Sequence, residues 1–345
     1  KIFIMKKLFC IFILLLFISS CWSSFWATWN IYVGFAWDVW YYDFDKQEFI
    51  EKKWTSVSAS WLYDDFDISW DNKKILLTMD VNWTFNFDER RYVLRKIEDS
   101  FKKKDLDEDG KNLIDNTYEW WDISYLTARI SPDEKYLALE AQHFSDLPIT
   151  IIDTKTWKEV SQWEVKWVSF LKYWTPTWTL DNSVYFKIWT WLYKSSPSDW
   201  YKSAPKVLDI SGASYVSVSP DWKKVVYVKD EHLWLSNIDW SDMRQITKSK
   251  TIDWISWEGE RLPTFSPDWK YIAFTSKATW WYAWSDHNYP DWSYVSATSS
   301  RFWYLTVIPA DWKLYDLDDK NSWAVFPKNS DWHLIPSTVA PIWRE

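Results

Sequence analysis

Glycine is nearly absent from this sequence, with 4 residues among 345, although globular proteins contain about 7% glycine. Tight turns often need a backbone φ above zero, which large side chains resist, so this composition excludes an ordinary turn-rich fold. Tryptophan is correspondingly frequent, with 34 residues. It follows aspartate at places where Asp-Gly would give the common short turn signal. These places are Trp222, Trp240, Trp269 and Trp332.

The presence of tryptophan where glycine is expected suggests that most of the tryptophans are glycines encoded by UGA, a codon that some bacterial lineages read as glycine. The alternative is a genuinely Trp-rich protein, such as a carbohydrate binder with stacking aromatic rings. That alternative does not explain why glycine is scarce as well. We predict UGG codons for Trp178 and Trp234. Trp178 takes the place of the apolar residues Val218 and Phe265 in the internal repeats described below and should be buried, and Trp234 lies in a β-type stretch. We predict UGA codons for Trp222, Trp240, Trp269, Trp292, Trp312 and Trp332.

Cysteine is scarce too, because only Cys10 and Cys21 are present. A positive segment at Met5-Lys6-Lys7 precedes an apolar run over residues 8–18 that is too short to span a bilayer, and this pattern is typical of a secretory signal peptide. Small residues directly before Cys21 resemble the bacterial lipobox, in which the cysteine is lipidated. A plain signal peptide with an incidental cysteine is the alternative.

The lipobox interpretation divides the chain into a signal peptide (1–20), a lipid-anchored linker (21–30) and a folded domain (31–345). It predicts an extracytoplasmic, membrane-anchored lipoprotein in the periplasm or at the cell surface. Only the lipid anchor would contact the membrane. No disulfide is expected, because the mature chain would keep a single, acylated thiol.

The formal net charge is −8, which argues against a nucleic-acid surface, since such a surface needs a clustered basic footprint. With 26% charged and 47% hydrophobic residues the chain is globular rather than disordered. We expect a monomer without a nucleic-acid partner.

Internal repeats decide the predicted fold. Five segments share an apolar residue, a hydroxyl residue, one further residue and an aspartate, followed by a β-type stretch. They begin at Ile68, Ile130, Trp178, Val218 and Phe265, and a weaker copy surrounds Asp311. The aspartates recur at intervals of roughly 40 to 60 residues, which is typical of propeller blades. We therefore predict an all-β fold, a β-propeller with six blades; seven blades is the alternative.

The fuller form of the repeat is Ser-Pro-Asp-Trp-Lys, as at 219–223 and 266–270. With glycine read for the tryptophan, it resembles the PD40 repeats of the TolB-like, WD40-like propeller family. The stretch 233–247 matches the continuation of that repeat. The resemblance covers roughly residues 60–320 and implies a non-catalytic propeller that binds a protein or peptide partner in the bacterial envelope.

The long interval between the first two repeats predicts an insertion at about residues 88–119. Val93, Leu94, Ile97 and Phe101 share one face of a helix over residues 88–104. The acidic loop that follows has the aspartate spacing of an EF-hand loop. Its glycine, Gly110, is present in the sequence as it stands, and hard oxygen ligands suit Ca²⁺. Its candidate ligands are Asp105, Asp107, Asp109 and Asp115. A solvated acidic loop without metal is the alternative.

No catalytic set is recognisable in the sequence. The four histidines form no HExxH pair, and the residues around Ser256 do not have the nucleophile-elbow spacing. We therefore predict a binding scaffold that is not an enzyme and has no cofactor besides the candidate Ca²⁺. The alternatives are a propeller hydrolase or lyase acting on envelope peptide or glycan, and a calcium-dependent carbohydrate binder.

Overall fold

The structure is a computed structural model. It describes residues 29–35, 38–43, 46, 48–50, 62–80, 90–96, 124–142, 149–156, 158–161, 175–249, 259–277, 303–319, 337 and 340–344. These residues contain 23 β-strands, β1 to β23, and one 3₁₀ turn at Pro197–Asp199. Within these ranges, no helix has the length and hydrophobicity needed to span a bilayer. The predicted all-β class is confirmed.

Most strands form antiparallel sheets of neighbours in sequence. The first sheet has the order β23 (Ile342–Arg344), β1 (Asn30–Phe35), β2 (Asp38–Asp43), β3 (Glu48–Ile50). The second is β4 (Leu62–Ile68), β5 (Lys74–Asp80), β6 (Arg90–Lys96), and the third is β7 (Ser124–Ile130), β8 (Tyr136–Gln142), β9 (Ile149–Asp153). The fourth is β10 (Thr177–Trp178), β11 (Val184–Ile188), β12 (Trp191–Ser195), β13 (Lys206–Asp209).

The later sheets follow the same plan. The fifth is β14 (Ser214–Val218), β15 (Lys224–Lys229), β16 (His232–Asn237), β17 (Arg244–Gln245), and the sixth is β19 (Arg261–Phe265), β20 (Tyr271–Lys277), β21 (Trp303–Pro309). A short parallel pair, β18 (Thr247–Lys248) with β22 (Tyr315–Asp316), lies beside them.

The sheets are arranged in a ring. One edge strand of each sheet contacts the corresponding strand of the next, in the order β23, β4, β7, β10, β14 and β19, and β19 contacts β23 again. This cyclic arrangement of antiparallel sheets is a β-propeller. The ring closes in the first sheet, where Ile342–Arg344 pairs with Asn30–Tyr32. The blade count of the whole chain stays a prediction.

Both faces of the second strand of a sheet can be buried, as in β15, which explains its continuous apolar run. On β15, Val226 and Val228 pack towards the sixth sheet with Phe274 and Ile308. The alternate residues, Val225 and Tyr227, pack towards the fourth sheet. Successive side chains of a strand point to opposite faces, so one strand contributes to two inter-sheet cores.

The predicted helix over residues 88–104 is wrong where the structure describes it. Residues 90–96 form β6, which pairs in register with β5 from Asp80↔Arg90 to Lys74↔Lys96. The apolar spacing at Val93 and Leu94 fits a helix as well as a strand, and the ladder with β5 pairs the backbone of β6 along one edge. The rest of the predicted insertion, with its acidic loop, lies outside the described residues.

Candidate functional site at the centre of the ring

Each of the five repeat segments forms the same kind of turn, which joins the channel-lining strand of a sheet to the next strand. In each copy the Ser or Thr hydroxyl donates to Oδ1 of the aspartate two residues later, at 2.6–2.9 Å. The same Oδ1 accepts a backbone N–H two residues further on, at 3.0–3.3 Å. The hydrogen bond from Ser69 lowers the pKa of Asp71 well below its ordinary value. The repeat aspartates therefore brace turns.

The residue after each of these aspartates has a left-handed backbone. Its φ lies between 51° and 59° in all five copies, at Asn72, Glu134, Asn182, Trp222 and Trp269. The predicted placement of the two tryptophans in tight turns is confirmed, and their side chains are 50% and 41% exposed. Trp178, at the apolar position of its repeat, is 6% exposed, and its indole N–H donates to the carbonyl of Arg129 at 2.9 Å.

Among the described residues, four further tryptophans have a positive φ: Trp189, Trp200, Trp240 and Trp312. Trp189 and Trp200 are exposed like the turn tryptophans, whereas Trp240 packs edge-on against Tyr227 at 5.2 Å and its indole donates to the carbonyl of Asp209. At Trp189 and Trp200, both the left-handed backbone and the exposed side chain favour glycine. At Trp240 the backbone favours glycine, whereas the packing of the indole favours tryptophan.

A cavity of about 110 Å³ lies at the centre of the ring. Strands from all six antiparallel sheets line it, so it is the axial channel of the propeller. The residue just before the apolar position of each repeat lines this cavity and is polar in every copy. These residues are Asp67, Arg129, Thr177, Ser217 and Thr264. At one end, Trp70, Pro220 and Pro267, which follow the hydroxyl residues of the turns, form an apolar rim.

The first charged pair at the channel wall joins β4 to β7. The Arg129 guanidinium donates to both carboxylate oxygens of Asp65, at 2.5 and 3.3 Å, and to the carbonyls of Phe66 and Ala128. Both side chains are buried. Burial works against the charged form of Arg129, but the carboxylates of Asp65, Asp67 and Glu140 together outweigh it, so the pKa of Arg129 is raised and the side chain stays a cation.

The second pair joins β4 to β23. Arg344 donates to Oδ1 of Asp67 at 2.8 Å, to the carbonyl of Ile68 at 2.6 Å and to the carbonyl of Trp343 at 2.6 Å. Its guanidinium carbon lies 4.8 Å from the centre of the Trp70 ring. The other oxygen of Asp67 accepts the backbone N–H of Ile130 at 2.7 Å. Burial lowers the pKa of Arg344, while Asp67 opposes that change.

The channel wall therefore carries matched charges that are already bonded to one another and to the backbone. Such a wall can orient a polar backbone or accept an apolar side chain at its rim. Among the residues that the structure describes, no group of three or more His, Cys, Asp or Glu side chains could hold a metal ion.

The sequence-predicted site residues are not tested by this geometry. Cys21 and the candidate Ca²⁺ ligands Asp105, Asp107, Asp109 and Asp115 all lie outside the described residues. Sequence reasoning missed the channel charges Asp65, Asp67, Arg129 and Arg344. A signal for two of them was present, because the residue before the apolar position is polar in every repeat.

The fold and its axial channel define a β-propeller. No protein-family profile matches the sequence. No curated protein matches it either. Among solved structures, TolB from Acinetobacter baumannii is similar at a TM-score of 0.55 and 13% identity, covering 92% of this chain and 66% of that protein.

Two other solved propellers are also similar. A putative TolB from Agrobacterium tumefaciens has a TM-score of 0.49 and 12% identity, covering 92% of this chain and 98% of that one. An oligogalacturonate lyase from Vibrio parahaemolyticus has a TM-score of 0.46 and 15% identity, covering 71% and 70%. At these identities the likeness to the Acinetobacter protein shows the propeller fold alone. This chain spans 66% of the length of that protein.

Proposed function

We propose that the protein is a lipid-anchored propeller scaffold of the bacterial envelope, which binds an extended segment of a protein or peptide partner at the rim of its axial channel. The observation that carries the proposal is the combination of an apolar rim with a wall of paired charges. The charges are paired with one another, whereas the rim offers rigid apolar surface. Ligand sites commonly combine an apolar lining with a few fixed polar groups.

The rim is built from one repeat position, and three of its five copies, Trp70, Pro220 and Pro267, line the channel. The equivalent residues of the other two copies are Pro132 and Leu180, which do not line the cavity. Proline lacks side-chain rotamer freedom, so little conformational entropy is lost when a partner covers it. A cavity of about 110 Å³ can admit one inserted side chain but no folded domain. This geometry favours an extended peptide segment.

The rim can be tested with a photo-crosslinking residue in place of Pro267, which lines the channel and is only partly buried. The matched control carries the same residue in place of Val207, which is 39% exposed on β13 and does not line the channel. We expect the Pro267 variant to label one discrete envelope protein or peptide, and the control to label none. Equal labelling at both positions would overturn the proposal. Cleavage of envelope peptide or glycan by the purified protein would support the enzyme alternative.

We further propose that Cys21 carries the lipid anchor. Its replacement by serine is expected to release the protein from membranes and to leave the propeller folded, whereas Cys10→Ser within the signal peptide should not. Fractionation followed by far-ultraviolet circular dichroism measures both results. Membrane association of a Cys21→Ser protein would contradict the proposal.

The left-handed backbone at the turn tryptophans supports the glycine hypothesis. Asparagine and glycine tolerate this conformation, whereas a bulky side chain is strained in it. We propose that Trp222 and Trp269 are glycines in the protein as its own host makes it, and we extend this to the exposed Trp189 and Trp200. Peptide mass spectrometry of the natively expressed protein distinguishes the two residues. Tryptophan at Trp222 and Trp269 together with UGG codons would refute the hypothesis.

A further inference from the structure

A buried carboxylate connects three elements between the fifth and sixth sheets. Glu260, which is 2% exposed, precedes β19. Its Oε2 accepts the backbone N–H of Leu233 on β16 at 2.8 Å and the hydroxyl of Thr247 on β18 at 2.7 Å. Its Oε1 accepts Nδ1 of His232 at 3.3 Å. One side chain therefore ties the start of β19 to both β16 and β18.

The backbone around Glu260 also approaches the β15–β16 hairpin closely. The N–H of Glu260 donates to the carbonyl of Glu231 at 2.8 Å. A Cβ placed on the preceding Gly259 would lie 1.9 Å from that carbonyl oxygen. No other residue fits there without a backbone shift. Gly259 is one of the four glycines written in the sequence, and the close approach explains why glycine stands at this position.

His232 supplies the positive charge of this cluster. The charged groups that act on it are Glu260 from the approach to β19, and Asp230 and Glu231 from the hairpin. Thr247 from β18 contributes a neutral hydroxyl to the same carboxylate. The hydrogen bond to Glu260 raises the pKa of His232 above its ordinary value of 6.5, and burial opposes that rise.

We infer that His232 and Glu260 form a pH-sensitive clamp that holds the entry of the sixth sheet against the fifth. When His232 is protonated, its charge compensates a carboxylate that the ring has removed from water. When His232 loses its proton, the carboxylate stays buried with neutral donors only, and the segment beginning at Gly259 is held less tightly.

The stability that the clamp contributes falls as the pH rises, because proton binding to His232 is linked to folding. The folded-state pKa of His232 lies above the unfolded value, so its contribution to stability is complete below about pH 6.5 and is lost as the pH rises through the folded value. The affected bonds are local: the amides of Leu233 and Glu260 should lose protection first.

Hydrogen exchange of the whole protein tests the clamp. With correction for intrinsic rates, we expect protection at the Leu233 and Glu260 amides to fall about three- to tenfold between pH 5.5 and pH 8.5. Amides of β20, such as that of Ile272, should show no such step. His232→Asn, which keeps a neutral donor near the Nδ1 position, should remove the step. Thr247→Val should lower protection equally at every pH and leave the step in place.

Two outcomes would overturn the inference. One is a pH step of unchanged size in His232→Asn, and the other is a flat profile in the unmodified protein. If a variant fails to fold, the imidazole resonances of His232 in the unmodified protein give a separate measure. A titration midpoint above 6.5 supports the clamp, and a midpoint at or below that value rejects it.

Discussion

The repeat turns and the channel wall are stabilised in different ways. Each turn is closed by hydrogen bonds that span five residues or fewer, such as those from Ser219 to Asp221 and from Lys224 to Ser219. The channel wall is closed by pairs such as Arg129 with Asp65 and Arg344 with Asp67, which are 64 and 277 residues apart in the chain. The turn chemistry is therefore repeated and local, whereas the wall chemistry is unique and depends on the closed ring.

The repeated turns therefore support the propeller scaffold, whereas the charge pairs of the channel wall distinguish this propeller from others. The bond from hydroxyl to aspartate recurs in every turn, and contacts between neighbouring turns, such as that of the Asp71 N–H with Glu134 Oε1, add to it. The channel charges cannot be exchanged, because each fits a partner on another sheet. Substitutions in the channel wall should therefore lower the free energy of unfolding more than substitutions in one turn. Substitutions of two paired wall residues should also have effects that are not additive.

The largest effect is expected at the ring closure. Arg344→Met leaves Asp67 buried and unpaired, so it should lower the free energy of unfolding by about 3–5 kcal/mol, measured by urea denaturation. Combining it with Asp67→Asn should recover much of that loss, because the buried charge is then removed. A loss below about 1 kcal/mol in the single variant would mean that the pair does not stabilise the ring.

A similar loss is expected at the core tryptophan. Trp178→Ala should cost about 3–5 kcal/mol, because it removes a buried indole between the third and fourth sheets. Trp222→Ala is the matched control, and it should cost nothing, since that side chain is half exposed. Equal losses at both positions would contradict the repeat alignment.

A smaller effect is expected within one turn. Ser219→Ala removes a hydroxyl that donates to Asp221 at 2.7 Å and accepts from the Lys224 backbone at 2.9 Å. We expect a loss of about 1–2 kcal/mol in thermal or urea unfolding. Ser219→Thr should restore most of the stability, because the hydroxyl of Thr179 donates to Asp181 in the same way at 2.6 Å. An unchanged midpoint for the alanine variant would show that the turn holds without its brace.

The smallest effect is a gain. In protein made with tryptophan at these positions, Trp222→Gly or Trp269→Gly should each raise the free energy of unfolding by an amount on the order of 1 kcal/mol, by relieving left-handed strain. Asn182→Gly at the equivalent position should change stability little, because asparagine tolerates this backbone. Destabilisation by both glycine variants would show that the indoles contribute to the fold.

Much of the fold was predictable because the repeat fixes the position of each turn and of the strand that follows it. The placement of Trp222 and Trp269 in left-handed turns, and the burial of Trp178, followed from aligning the repeats with one another. The helix over residues 88–104 was predicted wrongly where it overlaps β6, because two adjacent apolar residues, Val93 and Leu94, fit either period. Pairing with β5 decided the outcome, and a single segment read by itself does not reveal its ladder partner.

By itself, the sequence determined the all-β class, the propeller repeats and the residues that brace each turn, because those interactions form among near neighbours in the chain. Only the tertiary structure decided that Ile342–Arg344 completes the first sheet, that Arg344 pairs with Asp67, and that Glu260 binds His232 and Thr247. The reason is physical: a charge or carboxylate in this interior is stable only when a partner from another sheet reaches it. That partner is set by closure of the ring.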